Sequence, residues 1–408
     1  MLIKANLIKE NMGLAGLILF QFGLIFSPFI LSFSLVFLLV QPFLVYSIRE
    51  VFSRLFSNKI SNLLLVYFLL CLLGIFYTQD LNSFWKDLQL KLPLLILPMA
   101  FVYSKYYLKR SRHLVLYAFI LFIFIAGLLS FIHYLINYEE INQQIFKAKP
   151  VPLIANINHI YYSFLLAFAI LSGIILHLAR PGNKALKVGN IIVIILNIVF
   201  IHTIAARTGL FAFYISLVIL LIIYGFKANQ IILTIAAMII VLFVGFASVK
   251  YIPVLNNRYQ KTLEDLHAYR DGGDINFYSI SERIEYWDKS FKVFLSSPVI
   301  GVGFGDVKHE MREIFEKENS ILELENRKGP HNQYLEILAG LGIIGLLVFM
   351  MILFQALKIA SKQESPLFLA FLLISIVTFF VESTLERQAG ISFFTCMILF
   401  LSRPHAET

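Results

Sequence analysis

The sequence predicts an all-α fold, a polytopic bundle of about twelve transmembrane helices with one large periplasmic loop containing amphipathic helices. Three observations lead there. Of 408 residues, 59% are hydrophobic and only 14% charged, whereas a soluble protein carries about 25% charged residues. Runs of about 20 apolar residues recur along most of the chain, each long enough to cross a bilayer as a helix. Those runs are continuously apolar. The strands of a membrane barrel would instead alternate apolar and polar residues over about ten positions.

In chain order, the candidate spans cover 12–27, 30–48, 60–77, 88–104, 114–137, 159–179, 188–206, 208–226, 230–249, 334–357, 366–382 and 389–402. Lys4 and Lys9 precede the first, as in a signal peptide. No small-residue cleavage site stands out and further spans follow, so it reads as a retained helix. Pro28 separates the first pair, and Pro93 and Pro98 in the fourth predict a kinked or interrupted helix. Cys71 and Cys396 each lie inside an apolar run and read as packing residues rather than disulfide or metal partners.

Orientation follows from lysine and arginine in the connections. With the N-terminus cytoplasmic, the inner loops hold sixteen of them, and the short outer loops and span ends hold six: Lys86, Lys91, Lys147, Lys149, Arg207 and Arg387. That bias puts both termini inside and the stretch between spans nine and ten outside. It also accounts for the net charge of +9 without invoking nucleic acid. The interval between Lys187 and Lys227 agrees: its 39 residues carry one charge, Arg207, at the midpoint. As a single helix it would run about 59 Å, far beyond a hydrocarbon core of about 30 Å. Two antiparallel helices fit, with Arg207 at the outer turn. The chain thus divides into spans one to nine (1–249), a large periplasmic loop (250–333), and spans ten to twelve with a cytoplasmic C-terminus (334–408).

The loop reads as a folded element. Between Lys250 and Lys328 it holds twelve Lys or Arg against fourteen Asp or Glu. Ser279 to Ser297 places Ile284, Trp287, Phe291, Val293 and Phe294 among charges, the pattern of an amphipathic helix lying against the membrane surface. Pro298 ends it. Gly301-x-Gly303-x-Gly305 follows as a turn, lacking the strand and spacing of a dinucleotide fingerprint. Asp306 is placed to cap a second helix running to about Asn319.

Three side chains stand out chemically. Arg207 either snorkels to headgroups or faces the bundle interior as a functional cation, and Gly209 nearby permits close approach of a ligand or helix. Arg283 lies four residues before Trp287 on the amphipathic helix; its planar fork suits phosphate, and a surface ion pair is the alternative. His331 follows Gly329-Pro330 and precedes Asn332-Gln333-Tyr334 where the loop enters span ten; histidine acts as a base near neutral pH, a structural histidine being the alternative. Asn332, Tyr334, Lys91 and His159, the last in Asn156-x-Asn158-His159, are secondary candidates at the same face. No zinc-ligand set, phosphate loop or Ser-His-Asp order is visible.

Taken in order, three motifs resemble the O-antigen ligase and polymerase superfamily. They are Ala206-Arg207-Thr208-Gly209; Ser281-x-Arg283-x-x-x-Trp287 with Ser297-Pro298-x-x-Gly301-x-Gly303-x-Gly305; and Pro330-His331-Asn332-Gln333-Tyr334-Leu335 with Leu341-Gly342-Ile343-Ile344-Gly345. Ala206 departs from the serine that many relatives carry before the arginine. The resemblance implies a glycosyltransferase of the bacterial inner membrane, independent of metal and without cofactor. It would move a glycan from an undecaprenyl-diphosphate carrier to an acceptor hydroxyl such as lipid A-core. Arg207 and Arg283 would contact the diphosphate and His331 would activate the acceptor. A polymerase of the same fold is the nearest alternative. A transporter or flippase is the outside one, disfavoured because the polar residues gather at one face rather than at the midplane.

Overall fold

The computed structural model describes residues 2–106, 108–146, 150–179 and 184–403. Among them the chain is helical, with no strand. Before the large loop come α1 (Leu2–Phe26), α2 (Pro28–Phe43), α3 (Ile48–Phe56), α4 (Lys59–Leu73), α5 (Leu81–Lys91), α6 (Pro93–Ala100), α7 (Leu108–Ile136), α8 (Tyr138–Phe146), α9 (His159–Ala179), α10 (Lys184–Ile204), α11 (Arg207–Lys227) and α12 (Ile231–Tyr251). The loop folds into α13 (Pro253–Arg270), α14 (Ser279–Ser296) and α15 (Val307–Lys317). The chain then returns through α16 (Gln333–Lys362), α17 (Pro366–Val381) and α18 (Gln388–Leu401).

All twelve apolar segments fall on helices. Eight stretches are long and apolar enough to cross a membrane; α2 and α3 form a bent pair at 108°, and Glu10–Phe26, α17 and α18 are shorter apolar helices. This is a multi-pass membrane protein. The fourth span is interrupted as its prolines require: α5 ends at Lys91, α6 begins on Pro93, and a 3₁₀ turn, Phe101–Tyr106, completes the crossing.

Burial separates two kinds of apolar helix. α18 is buried from Gly390 to Leu401, with Phe393 stacked on Phe119 and meeting Phe164 and Phe371 edge-on. α12 is the opposite, with only 6% of its span buried and Ile232, Leu242, Phe243 and Phe246 turned outward. An apolar surface suits a protein core and lipid alike. Two buried amides donate inside: Gln21 to the Val115 carbonyl at 3.0 Å and Gln41 to the Met12 carbonyl at 3.0 Å.

The loop is joined to the membrane part at a break in α16. Gly342 adopts φ 61°, ψ −161°, a region open essentially to glycine alone. The Ala339 and Gly340 carbonyls accept from Val302 and Gly303 N–H, both at 2.9 Å. Ile343 and Ile344 donate to the Pro298 and Val299 carbonyls at 2.9 and 3.3 Å. The contact is backbone on backbone: a Cβ on Gly342 would lie 2.4 Å from Val299 C, and one on Gly301 2.4 Å from Gly340 C. The glycine-rich turn is therefore the mortise for the Leu341–Gly345 segment.

Two loop features differ from expectation. α14 turns part of its apolar face into the protein rather than leaving all of it for the membrane surface. Tyr286 and Val293 pack with Val307, Met311, Phe315 and Ala339 in a separate small core, because α15 and the start of α16 offer a closer apolar surface. Phe291 and Leu295 stay exposed. Asp306 precedes α15 but makes no side-chain cap. Its carboxylate accepts from Gln79 and Asp80 N–H at 2.8 and 3.1 Å, tying the loop to the α4–α5 connection.

Gly342→Ala should destabilise the folded protein by about 3 kcal/mol or more, from glycine-only backbone plus collision with Val299. A Gly189→Ala control, with nothing within 4 Å of its added Cβ, should not. Thermal unfolding in detergent reads both, and equal melting temperatures would refute the role of the break.

Candidate functional site

Polar side chains from both ends of the chain converge where α9, α11 and α16 begin and α10 and α17 end. Arg207 opens α11. Gly209 lets that turn press on α9, since a Cβ there would sit 2.3 Å from that of Ser163. The Arg207 guanidinium donates to Ser279 Oγ at 2.9 Å and to the Arg258 carbonyl at 3.4 Å, so the hairpin turn is bound to α13 and α14.

Asp265 holds the other side of this contact. It is 1% exposed and accepts from Ile280 and Ser281 N–H at 2.8 and 3.0 Å and from the Ser281 hydroxyl. α14 has no side-chain cap of its own; Asp265 supplies one from α13, favoured by the helix dipole. Ser279 is thereby set for Arg207, and Arg283 follows one turn later.

Arg207, Arg258 and Arg283 line one cavity of about 330 Å³ with His159, Lys261 and Glu282. Burial, then the Arg207 charge beside it, pushes the Arg258 guanidinium down to about 10. Burial likewise raises the Glu282 carboxyl above its ordinary range. The Arg258 shift describes a cation pressed by burial and by a like charge, which an admitted anion would relieve; the Glu282 shift reflects burial alone.

His331 sits at φ 47°, two residues ahead of α16. Its neighbours fix it there. Asn332 caps α16, accepting from Tyr334 and Leu335 N–H at 2.9 and 3.1 Å, and its own N–H donates to Ser383 Oγ at 3.2 Å. The Gln333 side chain accepts from Leu385 N–H at 2.7 Å and donates to Glu386 at 3.1 Å. The imidazole stacks on Tyr286 at 5.7 Å between centroids. Nδ1 lies 3.1 Å from both carboxylate oxygens of Glu382 at the end of α17. Glu382 also approaches Arg283, at 3.9 Å. It bridges the histidine and the arginine cavity.

On the far side of His331 is a second cavity of about 310 Å³, bounded by Lys308, Arg312, Arg327, Glu382 and Arg387; Lys328 borders both. The secondary candidates separate. His159 lines the first cavity. Asn332 caps; Tyr334 packs on Phe380 at 4.7 Å and donates to the Ile376 carbonyl at 3.3 Å. Lys91, 1% exposed, donates to Glu386 at 2.6 Å and to the Leu385 carbonyl at 3.0 Å. Sequence reasoning missed Arg258, Glu382 and Gln333. Glu382 carried a usable signal, an acid at the outer end of an apolar run, the same cue that singled out Arg207. No group of three or more His, Cys, Asp and Glu is placed to hold a metal among the described residues.

Residues 191–350, which hold Arg207, Arg283 and His331, match the family model described as O-antigen ligase. Over that stretch, less than half of the chain, the match supports the O-antigen ligase superfamily. A comparison with curated proteins finds no match. That similarity supports a membrane glycan-processing enzyme of glycosyltransferase-like type. The family stretch ends within α16; Glu382, which contacts both the histidine and an arginine, comes from beyond it.

Asp265→Ala should release the first turn of α14, costing about 1–2 kcal/mol as for a lost cap. Hydrogen exchange across 279–283 should quicken; unchanged protection there would refute the capping role.

Proposed function

We propose that this protein transfers a glycan from an undecaprenyl-diphosphate carrier to an acceptor hydroxyl, lipid A-core in a ligase, at the periplasmic face of the inner membrane. The observation that carries this reading is the juxtaposition of a three-arginine cavity and a carboxylate-held histidine, bridged by Glu382. Lipid-linked glycan transfer needs that combination: fixed cations where a diphosphate leaves and a base where a hydroxyl attacks.

In this reaction the acceptor oxygen bonds to the anomeric carbon as the carbon–oxygen bond to the diphosphate breaks. The hydroxyl proton passes to Nε2 of His331. Glu382 accepts the Nδ1–H, fixing the tautomer that leaves Nε2 basic. Arg207, Arg258 and Arg283 take the charge developing on the leaving group, and the partly buried setting strengthens each contact. The face of the membrane follows from charge. Both cavities lie at the end of the bundle whose short connections are poor in lysine and arginine, the outer end by the positive-inside rule, which discounts a loop as long as 250–333.

His331→Ala should lower transfer by about 100-fold or more, and Glu382→Gln by about 10- to 100-fold, the range for losing a histidine-orienting partner. Both should leave carrier binding intact. Wild-type levels of surface polysaccharide in cells carrying only His331→Ala would sink the assignment. Arg207→Lys, which loses the fork, should weaken carrier binding itself. For topology, Lys317→Cys on the exposed side of α15 should react with a membrane-impermeant maleimide from the periplasm; labelling solely from the cytoplasm would reverse the orientation.

A further inference from the structure

We propose that the second cavity, the one of about 310 Å³ beside His331, is the acceptor subsite, and that it selects an acceptor glycan carrying carboxylate or phosphate groups near the reacting hydroxyl. This rests on the transfer reaction proposed above.

The argument starts from charge placement. The loop is nearly neutral as a whole, yet its charges are not evenly paired. Lys261, Lys289, Lys292 and Lys317 each lie 2.6–2.9 Å from a carboxylate. Lys308, Arg312, Lys328 and Arg387, around the second cavity, form no ion pair among the described residues. Arg327 adds a fifth cation, anchored by Nε to the Leu322 carbonyl at 2.9 Å. Three carboxylates share the cavity, fewer than the five cations. Glu382 is held by His331. Glu386 is bound to Lys91 at 2.6 Å. Glu336 is buried beneath them, 4% exposed. The charge left over is positive, in a concave site whose walls focus it.

Position selects the ligand. For an in-line displacement the attacking hydroxyl and the leaving diphosphate lie on opposite sides of the anomeric carbon. The first cavity has the three arginines suited to diphosphate; His331 borders the second, so the acceptor belongs there. Cations from α15, from 327–328 and from the α17–α18 turn surround that acceptor on three sides. A neutral glycan would leave them uncompensated; a carboxylated or phosphorylated one supplies the missing charge.

The test uses the full chain in phosphatidylcholine nanodiscs and three soluble probes: tri-galacturonate, neutral maltotriose and inorganic pyrophosphate. Tri-galacturonate should bind at least ten-fold more tightly than maltotriose. The double substitution Lys308→Ala/Arg312→Ala, at two exposed α15 positions bordering only the second cavity, should erase that preference while changing pyrophosphate affinity less than two-fold. Arg207→Lys should do the reverse. Equal binding of the charged and neutral oligosaccharides would overturn the subsite alone, as would an equal loss of pyrophosphate in the double variant. Competition by short-chain phosphatidylglycerol with the same Lys308/Arg312 dependence would give the cavity to a lipid headgroup and also overturn it. Pyrophosphate binding indifferent to Arg207→Lys would instead overturn the donor assignment on which the acceptor label rests.

Discussion

Helix α16 gives up its own hydrogen bonding at Gly342, and the loop supplies the replacement. Near a bilayer an unpaired backbone carbonyl is expensive, so a broken helix is tolerated only where protein closes over the break. Val302 and Gly303 close it from one side and Ile343 and Ile344 answer from the other. Much of the site follows from this splice. It sets where α14 ends, at Pro298, and where the chain turns towards α15. Asp306 then reaches the α4–α5 connection, fastening the loop to a distant part of the bundle. The two glycines at the crossing leave no room for a side chain on either strand.

On that frame a single carboxylate organises the candidate site. Glu382 is 6% exposed and would be costly to bury alone. His331 and Arg283 compensate it, and in doing so they are held at a fixed separation. The arrangement rests on residues from three regions: the loop, the start of α16 and the end of α17. Gln333 and Asn332 bind the α17–α18 turn to the histidine segment, so the carboxylate and the imidazole move as one unit. Lys91, from the first half of the bundle, holds the same turn from below.

The sequence made the spans legible because lipid imposes a length and composition on every crossing. Arg207 and Arg283 lining one cavity was readable in part, from the charge midpoint of the Lys187–Lys227 hairpin and the amphipathic pattern of α14. What was not readable depends on tertiary contact. Asp306 has the sequence look of a helix cap, but backbone N–H groups from 79 and 80 outcompete α15 for its carboxylate. α14 has the pattern of a surface helix, but periodicity identifies an apolar face without naming what it meets. Arg258 is one cation among twelve in the loop until α13 folds beside Arg207. Tyr334 and Lys91 are polar groups in an apolar context, the usual mark of function; here their polar atoms are spent on a carbonyl and a carboxylate of the bundle.

The break in α16 also sets a depth. From Ile343 to Lys362 the helix is about 30 Å long, the thickness of a hydrocarbon core. A hydrocarbon core fitted to that segment leaves the turns from Gln333 to Leu341 beyond it, by at most about 13 Å. His331 precedes that projection in the chain, and Arg207 opens α11 at the same end of the bundle. For the reaction proposed above, that height suits a membrane-bound carrier arriving with its polar end and a bulky water-soluble glycan arriving from above.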